Sequence, residues 1–287
     1  MPRQAKNNPP SPVLTELRPG QSVELLKALH ILTRDGRMNQ DSRRKLKQVY
    51  HLCQFIEPLL HEALVDSAAI QLVDVGAGKS YLGFILYDLF FKSLDGGGHV
   101  HGIEARTELV EKAVALAAQL QFTRMSFLSM PVLQAIESKD LPDKVDMVTA
   151  LHACDTATDD AIRFALKKHA RYIVAAPCCQ AEVAAALNQN KSTALANPLS
   201  EIWRRPLHTR EFGSHITNVL RCLQLEAHGY QVSVTELVGW EHSLKNELII
   251  AQYKDLPRER AARRLRETLT ALGLDALSER FITNAIE

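Results

Sequence analysis

The stretch Ile70-Gln-Leu-Val-Asp74-Val-Gly76-Ala-Gly78-Lys79-Ser80-Tyr81-Leu-Gly83 decides the fold of this chain. Ile70–Val75 is a short, largely apolar run of the length of a buried strand. Two glycines follow at once, and Tyr81–Phe91 then carries apolar residues at helical spacing. A strand, a glycine turn and a helix in sequence open a parallel α/β unit. The pattern continues downstream: His99–Glu104 reads as a second strand and Thr107–Leu120 as a helix. Ser126–Leu128 is the third strand, and Val145–Leu151 and Tyr172–Ala176 are the fourth and fifth, with a helix near Thr158–His169 between them. Such alternation predicts a mostly parallel sheet covered on both faces.

Gln231–Val238 and Glu247–Tyr253 have no helical pattern between them, so they read as a hairpin that makes the last edge antiparallel. Helices are expected over Val23–Leu32, Ser42–Leu64, Ile216–His228, Arg258–Leu272 and Ala276–Ile286, with Asp275 placed to cap the last. The expected architecture is α/β, with a seven-stranded sheet and helical extensions at both ends. Residues 1–66 are expected to form a basic N-terminal segment, disordered over about residues 1–12 and then helical, with 67–255 the sheet domain and 256–287 a helical tail.

Three nucleotide-type ligands compete for the glycine loop. Gly78-Lys79-Ser80 resembles the end of a P-loop, but the glycine required five residues earlier is Val73, inside the strand. A dinucleotide fingerprint needs a third glycine where Tyr81 stands, and a ring there opposes close approach of the pyrophosphate. S-adenosylmethionine carries no phosphate, yet needs the same close approach of backbone that glycine permits. Asp74 at the end of the first strand, Gly76 and Gly78 in the turn, and Glu104 at the end of the second strand suit it. Glu104 is placed to accept from both ribose hydroxyls. Lys79 is within reach of either the cofactor carboxylate or a substrate phosphate.

The 287 residues carry a formal charge of +1, with 46% apolar and 23% charged residues, which is globular composition. No apolar run approaches the ~18 residues of a membrane-spanning helix. The five cysteines are odd in number and irregular in spacing, so a reducing cytoplasm is expected rather than a disulfide framework. Charge is uneven. Residues 1–50 hold ten Lys or Arg against four acids, a surplus of six that includes Arg43, Arg44, Lys45 and Lys47. Such a segment suits a polyanion such as RNA, or is simply a solvated helix face.

Asp74–Leu82, Leu151-His-Ala-Cys-Asp-Thr-Ala-Thr-Asp159, Ala176-Pro-Cys-Cys-Gln180 and Lys245-Asn-Glu-Leu248 together resemble a group of class I methyltransferases. These are related to the tRNA 2′-O-ribose methyltransferases that act near the acceptor stem, and a bacterial branch is the nearest likeness. The resemblance spans about residues 43–253. It implies a Rossmann-like methyltransferase domain that uses S-adenosylmethionine on RNA, tRNA or rRNA, with a protein side chain as the second acceptor class and a non-catalytic cofactor-binding partner as the third. The chain departs from the pattern at Asn218, where an Asp is expected before Arg221, and at His242-Ser-Leu-Lys-Asn246, where Thr-Pro is expected. No acid ends the third strand to hold the adenine amine, which leaves Ser129 or backbone for that role.

Ligands of open α/β sheets lie beyond the carboxyl ends of the strands. His152 and Asp155 are therefore placed to take the proton that the acceptor must lose. The alternatives are that His152 only positions the cofactor and that Asp155 caps the helix beginning near Thr156. Cys178 and Cys179 either pack and line the pocket, attack a pyrimidine as a thiolate, or join Cys154 and His152 around a metal; no metal is expected. Lys245, just before the last strand, is placed for a substrate phosphate. The expected cofactor contacts are Asp74, Gly76, Gly78, Lys79, Tyr81, Glu104, Ser129 and His152.

Overall fold

A computed structural model describes residues 16–282 except 68, 96, 152–154, 178–179, 190–200, 203 and 238–246. Its strands are β1 (Gln71–Val75), β2 (His99–Glu104), β3 (Met125–Ser129), β4 (Met147–Ala150), β5 (Tyr172–Ala175), β6 (Tyr230–Glu236) and β7 (Glu247–Tyr253). They form one sheet in the order β3-β2-β1-β4-β5-β7-β6. All neighbours pair in parallel except β5 with β7 and β6 with β7. The order reverses between β1 and β4, which places a crevice for ligands at their carboxyl ends.

Two cores explain why the strands are apolar almost throughout. Along β1, Leu72 faces one core while Val73 and Val75 face the other, as the two-residue period of a strand requires. The first core is closed by α1 (Val23–Ala28), α2 (Gln40–Asp66), α3 (Tyr81–Leu89) and α4 (Thr107–Gln119). The second is closed by α5 (Val132–Ala135) and α6 (Thr156–Lys167). Helix α7 (Glu182–Gln189), α8 (Pro206–Glu226), α9 (Glu259–Ala271) and α10 (Ser278–Phe281) share a third apolar cluster. Edge strand β6 buries little, consistent with its polar Gln231, Ser233 and Thr235.

Helix α2 follows its sequence pattern. Leu46, Cys53, Ile56, Leu60 and Ala63 are buried at helical spacing, and the Asn39 side chain accepts from Ser42 N at 2.8 Å to cap the start. Elsewhere the structure corrects the expected boundaries. Helix α1 stops at Ala28, because His30 turns the chain with φ +57. Helix α8 begins ten residues earlier than its apolar pattern. Pro206 sets its first turn, and its buried positions there are the small residues Thr209, Gly213 and Ser214. A Cβ on Gly213 would come within 2.7 Å of Ala184, so glycine is what lets α7 and α8 meet.

At the C-terminus, Asp275 does not cap the last helix. It accepts from Thr270 Oγ1 at 2.7 Å, and a 3-10 turn over Asp275–Leu277 precedes the four-residue α10. Among the described residues no helix is long and apolar enough to cross a membrane.

Candidate functional site

The turn after β1 is shaped by φ values that glycine tolerates, +64° at Gly76 and +57° at Gly78. Ala77 N donates to Ile103 O at 3.0 Å, which ties the turn to β2. Ser80 is also left-handed, at φ +52, and its buried Oγ has no hydrogen-bond partner among the described residues. It tucks against Gly83, where a Cβ would lie 2.6 Å from that oxygen. Beneath the turn, Asp74 is buried and accepts from Thr149 Oγ1 of β4 at 2.8 Å. Burial pushes its carboxyl up to about 7, against the opposing pull of the Thr149 bond.

Glu104 ends β2 directly beside the glycine turn. Its Oε2 accepts from Gly78 N at 2.8 Å, and Arg106 grips both oxygens, with Nε 2.9 Å from Oε1 and Nη2 3.2 Å from Oε2. Arg106 N adds a further bond at 3.1 Å. These bonds, the Arg106 side chain foremost, hold the carboxyl below its usual range. A carboxylate at a strand end, against a glycine turn whose buried serine hydroxyl has no partner among the described residues, fits the ribose and methionine ends of S-adenosylmethionine. Arg106 reaches in from solvent with its side chain 61% exposed, so it is the partner that can yield acceptor sites to a ribose. Ser129 ends β3 and bonds Thr107 Oγ1 at 2.8 Å.

Lys79 and Tyr81 lie on another wall. With Leu29, His30, Leu109, Lys112 and Leu116 they line a pocket of ≈ 590 Å³ between the glycine turn, the end of α1 and the outer face of α4. Ser42 of α2 reaches the same corner, its Oγ 3.4 Å from His30 O. In the adjoining turns of α2, Arg43 is taken up by Glu16 at 2.6 and 2.9 Å, and Arg44 lies 3.8 Å from Asp41. Lys45 and Lys47 are exposed and form no salt bridge among the described residues.

At the ends of β4 and β5, His152, Cys154, Cys178, Cys179 and Lys245 lie outside the described residues. Asp155 is described. It precedes α6 with φ +52, an uncommon value for a residue other than glycine. It does not cap α6; its Oδ1 accepts from Ala181 N at 2.9 Å and so holds the chain leaving β5. Its carbonyl accepts from Arg221 Nη2 at 2.9 Å.

Arg221 is fully buried on α8 and forms a fork with Asp159, Nε to Oδ1 at 2.7 Å and Nη2 to Oδ2 at 2.9 Å. Its remaining nitrogen donates to Asn218 Oδ1 at 3.1 Å. That same oxygen accepts from Gln180 Nε2 at 3.1 Å, while Gln180 Oε1 accepts from Ser214 Oγ at 2.7 Å. Asn218 Nδ2 donates to Glu247 Oε2 at 2.7 Å, and Glu247 Oε1 lies 3.0 Å from His215 Nδ1. Residues of three motifs, Asp159, Gln180 and Glu247, thus meet around α8. The sequence motifs contain all three without giving any of them a role. His215 carries no local signal, because the apolar pattern of α8 starts after it.

An open seven-stranded sheet of this order, with a glycine turn after β1 and an acid ending β2, defines the fold of the class I S-adenosylmethionine-dependent methyltransferases. Residues 44–186 match a family described as a methyltransferase domain. The protein is a methyltransferase, and its methyl donor is S-adenosylmethionine. No curated protein matches the chain in sequence.

Among solved structures, similar ones include magnesium protoporphyrin IX methyltransferase from Synechocystis PCC 6803, 15% identical with a TM-score of 0.47, over 82% of this chain and 96% of that one. An rRNA methylase from Streptococcus thermophilus is 8% identical with a TM-score of 0.43, over 67% and 89%. A precorrin-6y C5,15-methyltransferase from Geobacter metallireducens GS-15 is 16% identical with a TM-score of 0.38, over 64% and 80%.

Proposed function

We propose that the methyl acceptor is RNA, either tRNA or rRNA, as in the tRNA 2′-O-ribose branch that the motifs resemble, and that the enzyme works in the cytoplasm. The observation that carries this is a set of exposed lysines on α2 and beside the glycine turn. Lys45 and Lys47 lie on α2, whose Ser42 Oγ donates to His30 O, and Lys79 and Lys112 border the pocket beside the glycine turn. Its walls are Tyr81, Leu109 and Leu116. Cations around an apolar, partly aromatic wall suit a phosphate and its base together. Because Arg43 is answered by Glu16, the lysines carry the attraction and Arg43 orders the chain before α2.

S-adenosylmethionine supplies the electrophilic methyl on a sulfonium. The chain has to hold that group and align the acceptor with it. In this proposal Glu104 takes the ribose, Gly76 and Gly78 let the backbone approach, and Asp74 and His152 serve the methionine end. Lys245 meets a substrate phosphate. The division at residues 66 and 255 is part of the same proposal.

The test is transfer of labelled methyl to extract from cells that lack the gene, followed by digestion. Label released by nuclease supports RNA. Label released only by protease moves the acceptor to a protein side chain, and label released by neither overturns the RNA proposal.

A further inference from the structure

Arginine donates and never accepts, and Arg221 therefore sets the direction of every bond downstream of it. Because Arg221 donates to Asn218, the Asn218 oxygen must face Arg221 and Gln180, and its amide nitrogen must face Glu247. Glu247 accepts that bond on Oε2. Its other oxygen, a carboxylate acceptor, meets His215 Nδ1 at 3.0 Å. Nδ1 must then carry the hydrogen, which leaves the lone pair on Nε2. The imidazole is 65% exposed, whereas the arginine at the other end of the chain of bonds is wholly buried. An anchored network thus ends in one oriented, accessible base.

Its position is as specific as its tautomer. His215 and Glu247 border a small cleft with Pro177, Gln180, Ser214 and Asn218. Pro177 follows Ala176, whose N donates to Ala150 O at the end of β4 at 2.9 Å. Glu247 opens antiparallel β7, so it lies at the same edge as the carboxyl ends of β4 and β5. Glu104 and the glycine turn occupy the β1–β2 side of that edge, which leaves the β4–β5 side for the acceptor.

We infer that His215 is the general base of methyl transfer, held in its reactive tautomer by Glu247. The acceptor is an oxygen or nitrogen that carries a hydrogen. As that atom forms its bond to the methyl carbon, the carbon–sulfur bond breaks and the sulfonium becomes a neutral thioether. The proton leaves the acceptor for His215 Nε2, and Glu247 balances the imidazolium that results. This rests on methyl transfer to such an atom and not on the acceptor being RNA.

Two measurements on the full chain test it. Long-range proton–nitrogen correlation at pH 8 reads the tautomer, with the signal assigned by its loss in His215→Gln. Nδ1–H in the wild type and a mixture in Glu247→Gln are expected; Nε2–H in the wild type overturns the inference. In transfer to the gene-deficient extract, His215→Gln should lose about 100-fold in rate and keep its affinity for S-adenosylmethionine within about twofold. The exposed end of the network should change without loss of fold, which a thermal melt checks. A His215→Gln variant that transfers at the wild-type rate overturns the inference. Extract holds RNA and protein alike, so failure of the RNA reading shows in the class of labelled product and failure of this one in the rate.

Discussion

Asp74 is the residue whose chemistry depends most on where the fold puts it. An exposed aspartate would titrate near 3.8, but burial raises this one to about 7. Between those values the folded protein binds a proton that the unfolded chain releases, so stability falls as pH rises through the window. The scale is ~1.4 kcal/mol for each pH unit of that window. Asp74→Asn should flatten that slope in urea unfolding at pH 5 and pH 8. A cationic ligand prefers the ionised carboxylate, so wild-type affinity for S-adenosylmethionine should rise as pH passes about 7 and be flat in Asp74→Asn. Calorimetry in two buffers of different ionisation enthalpy would detect the proton released on binding.

Between elements, the pair of Asp159 on α6 and Arg221 on α8 fixes how the two helices and the residue that precedes α6 sit together. Both side chains are buried, and the fork is bidentate. Removing one partner strands the other charge away from water, so Arg221→Met or Asp159→Asn should cost about 3–5 kcal/mol, read as a lower urea midpoint. Replacing both with apolar residues should restore only part of that stability, because Asn218 Oδ1 and the Asp155 carbonyl still lose a donor. This pairing is half legible in the sequence. Arg221 stands out as following a departure from the expected motif, but nothing in the spacing of positions 159 and 221 joins them.

Across the whole molecule the formal charge is only +1, so any attraction to a polyanion has to be local. In the RNA proposal the lysines at the start of α2 and beside the glycine turn supply that local attraction, while Arg43 is spent on Glu16. Substituting Lys45, Lys47 and Lys79 with Ala should weaken tRNA binding in fluorescence anisotropy between 50 and 200 mM salt. Each lysine–phosphate pairing removed should reduce the slope of log affinity against log salt by up to ~0.9. Unchanged slopes would remove these lysines from the proposal.

Local sequence is enough to specify the strand–helix alternation, the antiparallel last pair, the glycine turn and the two strand-end acids. Each depends on short-range periodicity or on the steric freedom of glycine, which are properties of neighbouring residues. Boundaries escape it where small buried residues replace apolar ones, as in the first ten positions of α8. Tertiary structure alone decides the partners of buried polar groups: Arg106 on Glu104, Glu16 on Arg43, and the bonds from Arg221 to His215. A hydrogen bond between residues 62 positions apart leaves no periodic trace, since distance along the chain says nothing about distance across a packed sheet edge.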